Sequence, residues 1–473
     1  MDLGGDGGAP DGRGPAGRGK PVMGLAALRN RITLLRETVA TELWPLPTVG
    51  LVVSALLGFW LPVLDDRVDH NLPAGVTLYL FGGGPDAARS VLSAVAGSLI
   101  TVTSLTFSLT VVTLQLASSQ FSPRLLRTFS RDRFVHVTLA LFLGTFTYSL
   151  VVLRTVRTAN GDQQIAVVPQ VSVTVALFLA LASVLGLVLF LAHLARQIRV
   201  ETILANVHEE ATETLHRVLE VREDGRPSTE VPPAAPRTAV PIIATRSGFL
   251  VSVDEDALLA AAHDVGALLR VDCPPGGSLV AGTPLGTAWS ADGAPLSEEV
   301  RDRLFPRVLD AIYAGPERTA AQDVGLGVRQ LTDVANKALS PGINDPTTAV
   351  HALGHLSALM CESLGHQLGP KLLRDEAGLV RVVLNRLDFG ELLDGAIAQP
   401  RRYGAAAPAV LVRIAALLRE VAWMTRDDDD KDAVRDQVRR MRDTIDEQSL
   451  GTTEVRALHA ALHRAETALE GTW

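Results

Sequence analysis

The chain has 473 residues, of which 47% are hydrophobic and 20% charged, with a formal net charge of −8. A mean hydropathy of +0.23 is high for a soluble protein of this length, and the negative balance argues against a nucleic-acid partner. The two cysteines, Cys273 and Cys361, are too few and too far apart for a disulfide framework or a paired-cysteine metal site.

Residues 1–22 are rich in Gly and Pro with almost nothing to bury, which predicts a disordered tail. Four apolar stretches follow within a membrane domain expected over 23–200, at about 46–64, 87–120, 134–156 and 168–194. Each can cross a hydrocarbon core, which takes about 20 residues of helix. The first begins well inside the chain and lacks a small-residue cleavage pattern, so it reads as an anchor. Arg29, Arg31 and Arg36 precede it, Arg124, Arg127, Arg131 and Arg133 separate the second and third spans, and Arg196 and Arg199 close the fourth. The alternate loops hold fewer cations: Arg67 among Asp65, Asp66 and Asp69 in one, Arg154 and Arg157 at the start of the other. The positive-inside rule then predicts a multi-pass protein of the cell membrane with both termini in the cytoplasm.

The second span is longer and more polar than the rest. As one helix it measures roughly 50 Å, against a core of about 30 Å, and Pro123 explains where it stops. At 100° per residue, Gly97, Thr101, Ser104, Ser108, Gln115 and Ser119 form one stripe, and Thr103, Thr106, Thr110 and Thr113 another. Small residues of this kind serve close helix packing, with each hydroxyl satisfied on its own helix. They also serve as the wet lining of a pore shared between copies. The centres of the spans hold no Asp, Glu, Lys or Arg, so a proton relay or an ion-pair-driven pump has no visible parts.

Beyond the fourth span a helical extension and a Pro-rich linker are expected over 201–241. The period changes in 242–315, where short apolar runs broken by Ser-Gly and Pro-Gly turns predict a small β-rich module, with a short helix capped by Asp254. Gly277–Leu285 resembles the strand–turn–strand of lipoyl and biotinyl carrier domains. Their modified lysine has no counterpart, because no lysine lies between Lys20 and Lys337. A helical domain is expected over 316–473. One helix presents Val324, Val328, Leu331, Val334, Ala335 and Ala338 on a broad face, and further helices are predicted over 347–364, 371–393, 408–424, 431–447 and 454–470. The acidic run Asp427–Asp430 suits a helix start.

The segment LSPGINDPTTAV, Leu339 to Val350, interrupts this pattern. Pro341 ends one helix, Gly342 permits a positive φ, Asp345 is a good N-cap and Pro346 suits the first helical position. The other reading is a ligand loop in which Ser340, Gly342, Asn344, Asp345, Thr347 and Thr348 surround the new helix's N–H groups. Together with RTAAQDVGLGVRQLTDVANKAL and the membrane segment TSLTFSLTVVTLQLASSQFSPRLLR, it resembles a bacterial family of predicted membrane proteins, domain of unknown function 2254. The resemblance covers most of the chain and implies four spans with a cytoplasmic domain. It carries no established activity and so transfers no catalytic role. IAQPRRYGAAAPAV is a looser, less polar junction than the family pattern implies.

Other chemistry is sparse. His351 and His355 share a helix face at the spacing of a two-His metal site, with no adjacent Glu and no third ligand evident. Cys273 and Cys361 have no base to activate them. No phosphate loop or nucleophile elbow occurs, so neither a cofactor nor a resident metal is expected. The expected fold is mainly α: a four-span helical membrane domain, then a cytoplasmic α+β domain with a small β module and a C-terminal helical bundle. The expected partners are the lipid bilayer and further copies of the chain, with any small ligand or ion unspecified. The expected function is an oligomeric channel or transport-like protein with cytoplasmic regulation, the alternative being a membrane-anchored ligand sensor or scaffold.

Overall fold

The computed structural model describes residues 44–68, 80–120, 132–157, 168–197, 199–222 and 230–473. The tail, the loop arginines Arg124, Arg127 and Arg131, and the centre of the Pro-rich linker lie outside them, as does the side chain of Ser119. Four helices are long and apolar enough to cross a membrane: α1 Pro45–Val68, α2 Pro85–Gln120, α3 Arg133–Thr155 and α4 Gln170–Gln197.

Helix α3 is the hub against which the other three pack. Small residues let α1 approach it closely: Gly50, Ser54 and Gly58 recur every fourth position and face Ala140, Gly144 and Val151. A Cβ added at Gly50 would stand 3.0 Å from the Ala140 Cβ, and one at Gly144 would stand 2.6 Å from the Ser54 hydroxyl. Apolar side chains such as Phe59 and Trp60 on α1 and Phe178, Leu181 and Leu185 on α4 are left on the outside, where hydrocarbon suits them.

Both ends of the bundle are tied by polar groups that the hydrophobic pattern does not announce. At one end Asp65, only 4% exposed, accepts from the Val171 and Ser172 backbone N–H groups (3.2 and 3.0 Å) and the Ser172 hydroxyl (3.1 Å). A carboxylate from α1 therefore caps the N-terminus of α4 and answers its dipole. There too Tyr148 donates to the Ser172 carbonyl (3.0 Å) and Arg89 to the Val156 carbonyl (3.1 Å). At the other end Asp132 caps α3 through the Phe134 N–H (2.9 Å) and meets His193 Nε2 at 2.5 Å.

After a break at Arg199, whose backbone is extended, the chain forms α5 Val200–Val218. It then enters two sheets. One has the order β1-β5-β3-β8-β7, the other β4-β2-β6, built from β1 Val240–Ile243, β2 Gly248–Val253, β3 Ala267–Val271, β4 Ser278–Leu279, β5 Pro284–Ser290, β6 Ile312–Gly315, β7 Lys371–Arg374 and β8 Val380–Leu384. Helices α6 Glu255–Asp264 and α7 Glu298–Asp310 accompany them; Asp254 caps α6 as expected, accepting from Ala257 N–H at 3.0 Å.

The remaining helices are α8 Gly325–Ala338, α9 Pro346–Ser363, α10 Phe389–Tyr403, α11 Pro408–Met424, α12 Asp428–Asp446 and α13 Thr452–Leu469. The helix expected over 371–393 is instead the β7–β8 hairpin followed by α10. Gly378 takes a φ of +79° in its turn, and Val380, Val382 and Val383 favour the pleated strand that pairs in parallel with β3. A second departure is α7, a helix within the stretch expected to be β-rich, whose charged sequence EEVRDRLFPRVLD buries Leu304 and Val308.

The C-terminal core gathers α5, α8 to α13 and their Leu, Ala and Val side chains into one cluster. Within this region Arg222 is buried and pairs with Asp430 at 2.8 Å, donating also to the His366 carbonyl at 2.9 Å. Burial pushes the Asp430 carboxyl up, and the guanidinium opposes that shift.

Gly144→Leu should wedge α1 from α3 and cost about 1–3 kcal/mol, read as a lower Tm of the purified protein in detergent. Asp430→Ala should cost about 3 kcal/mol or more by stranding the buried Arg222 charge, with denaturant melts of wild type and variant as the check.

Candidate functional site

The two stripes on α2 separate in the fold. Thr103, Thr106, Thr110 and Thr113 are buried within the bundle. Thr103, Thr110 and Thr113 donate to the carbonyls four residues back, at 2.7 to 2.9 Å, as small hydroxyls do when they pack between helices. Thr106 is fully buried and its hydroxyl has no partner. Gly97, Thr101, Ser104, Ser108 and Gln115 lie on the outer face and are exposed. A Cβ on Gly97 would meet nothing within 4 Å. Thr101 and Ser104 bond back to the Gly97 and Ile100 carbonyls (3.2 and 2.9 Å). Periodicity alone makes both rows equivalent; the position of α3 distinguishes them.

The turn between α8 and α9 is the second region. Asp345 accepts from the N–H groups of Thr347 and Thr348 (both 3.1 Å) and from the Thr348 hydroxyl (2.6 Å). Those bonds hold its carboxyl below the usual carboxylate range and occupy donors that an anion would need. Asn344, not Gly342, takes the positive φ, at +50°. Asn is among the non-glycine residues that tolerate it best, so Asn344 has a structural task. Its N–H closes on the Ser340 carbonyl at 2.9 Å, and the Asp345 N–H on the Ala338 carbonyl at 2.8 Å. Ser340, Gly342, Asn344, Asp345, Thr347 and Thr348 are thus brought together in one turn, with Gly342, Asn344 and Thr347 exposed and the other three half-buried.

His351 and His355 face α5. The His355 ring lies 5.2 Å from that of His208, and His351 Nδ1 is 3.9 Å from Glu201. Burial, with His208 and His351 nearby, pushes the His355 pKa down. Among the described residues, no group of three or more His, Cys, Asp or Glu side chains is placed to hold a metal ion. Burial pushes both thiols up, Cys361 to about 11 with Glu420 adding to the effect, which is the opposite of nucleophile activation.

Two features escape a reading of the sequence. One is a cleft of about 550 Å³ whose walls include Arg222, Lys371, Arg374, Arg386, Asp427 and Asp429. The other is the buried Asp323 before α8, which accepts from Arg318 Nε at 2.7 Å. A Cβ on Gly276 (φ +82°) would stand 2.1 Å from its Oδ2. An Asp just ahead of a helix signals an N-terminus, but only the fold brings the Pro-Gly turn onto it.

Four long apolar helices tied at both ends and followed by a large mixed region define a multi-pass integral membrane protein. The family profile described as "Predicted membrane protein (DUF2254)" matches residues 40–420, and the chain belongs to that family. Uncharacterized proteins of Mycobacterium bovis and Mycobacterium tuberculosis are each 37% identical to it over 421 residues, covering 87% of this chain and 78% of theirs. No solved structure matches.

Asp345→Ala should cost about 1 kcal/mol, the usual worth of an N-cap. Because the folded pKa is depressed, that stability is present above the ordinary carboxylate pKa of about 3.9 and is lost as pH falls through the folded value. The difference in stability between wild type and variant should therefore be level near neutrality and shrink on acidification, as followed by denaturant melts across pH.

Proposed function

We propose that this protein is an oligomeric channel or transport-like protein, with the outer stripe of α2 facing a shared axis and the C-terminal region acting as a cytoplasmic regulatory domain. The observation that supports the reading is the contrast between outer faces. Those of α1 and α4 are almost wholly apolar along the span, whereas on α2 Thr101, Ser104, Ser108 and Gln115 are exposed between apolar side chains such as Leu105, Phe107 and Val112. Polar side chains at membrane depth favour a bundle interior or a water-filled cavity, and around a single copy this row meets lipid. Orientation rests on Arg133, Arg196 and Arg199 at one end of the bundle and the positive-inside rule. A second reading, a membrane-anchored ligand sensor or scaffold without a pore, is favoured by the charged cleft lined by Arg222, Lys371 and Arg386 beyond the end of α5.

Purified full-length protein in liposomes should conduct ions, and Ser104→Leu with Ser108→Leu should abolish the flux without loss of folding. In a Cys273→Ser, Cys361→Ser background, Ser108→Cys should react with a water-soluble thiol reagent and Thr110→Cys should not. Absence of flux at every pH, voltage and ion tested, with Ser108→Cys unreactive, would select the anchored sensor.

A further inference from the structure

The turn between α8 and α9 has a position in the molecule that two helix registers set independently. Helix α8 runs antiparallel to α5. Gly327, near its start, lies so close to Ala211 that a Cβ there would be 2.2 Å from the Ala211 Cβ. Just before it, the Ala320 carbonyl accepts from Arg217 at 2.6 Å and from Thr214 at 3.3 Å. Following α8 from Gly327 to Ala338 at about 1.5 Å per residue brings its end level with Val200. Helix α9 runs parallel to α5, with His351 beside Glu201, His355 beside His208 and Glu362 bonded to His216 at 2.8 Å. Counting back from His351 to Pro346 carries the start of α9 about 7 Å past the Glu201 level. Both registers put the turn beside the first residues of α5, which begins three residues after Gln197, the end of the α4 span.

What the turn offers there is not its helix N-terminus, whose first donors Asp345 fills. It offers Ile343, 42% exposed at the tip, beside Gly342, where an added Cβ meets nothing. Lys337 on the last turn of α8, and Arg196 and Arg199 at the foot of α4, are also exposed. We propose that the turn is a membrane-contact point: Ile343 enters the headgroup layer of the bilayer that α4 crosses, and Lys337 reaches lipid phosphate. An apolar tip flanked by cations suits that boundary. Pro341 and the left-handed Asn344 hold the tip in shape, so little ordering entropy opposes insertion. The proposal requires only that α4 span the bilayer and is independent of whether α2 lines a pore.

The test uses full-length Cys273→Ser, Cys361→Ser protein in nanodiscs, carrying Ile343→Cys or, separately, Gly342→Cys labelled with an environment-sensitive fluorophore. The control is Leu379→Cys, on an exposed hairpin turn whose first strand is held at the far end of α5 by Lys371 and Glu220 (3.1 Å). Emission from both turn labels should shift to the blue. Lipids spin-labelled near the headgroup should quench the turn labels at least about twofold more than the control. Emission and quenching equal to the control would overturn the proposal. So would a blue shift without lipid quenching, which would place the turn against protein, a second copy included.

Discussion

The structure depends on the burial of one helix face. Helix α5 leaves the membrane bundle within three residues of α4 and buries Ile203, Leu204, Val207, Ala211 and Leu215 in the same core as α8 and α9. The contact is tight because Gly327 has no side chain where Ala211 approaches. Apolar burial is worth roughly 25 cal/mol per Å², and here it also fixes geometry. Once α5 is clamped, the ends of α8 and α9, and therefore the turn between them, have one position relative to the end of the α4 span.

Charged groups perform a different task, which is to fasten elements that hydrophobic packing alone would leave free to slide. Asp65 on α1 holds the N-terminus of α4, Asp132 holds the far end of the same helix through His193, and Arg222 locks onto the first turn of α12 through Asp430. Each joins residues distant in sequence, and each sits where an unpaired charge or an uncapped helix end would be costly. Membrane bundles lack a hydrophobic drive between their helices, so packing of small residues and such hydrogen bonds carry the specificity.

Much of this was legible from residues. The length and apolar character of the four spans, the helical ends at Asp254 and Asp345, the acid-rich start of α12 and the extent of α11 follow from local rules: hydrophobic period, capping chemistry and proline. The hairpin at Lys371–Leu384 was not, because LRDEAGLVRVVL supports either period until β3 offers its edge. Asn344 was not either. Gly342 is intrinsically the better left-handed residue, and only closure of the turn onto Ser340 and Ala338 assigns that conformation to Asn344.

By itself the sequence determined that the protein crosses a membrane several times and where capped or proline-started helices such as those begun by Asp254 and Asp345 and the one over 408–424 lie, since those properties depend on residues within a few turns of one another. Only the tertiary structure decided which threonines of α2 turn inward and which polar residues remain outside, which acids meet which bases, and that the helix after the SPGINDP turn runs along α5. Those are relations between elements far apart in the chain. They are fixed by the close approach of α3 to α1 and of α8 to α5, where glycines permit contacts that no single helix pattern encodes.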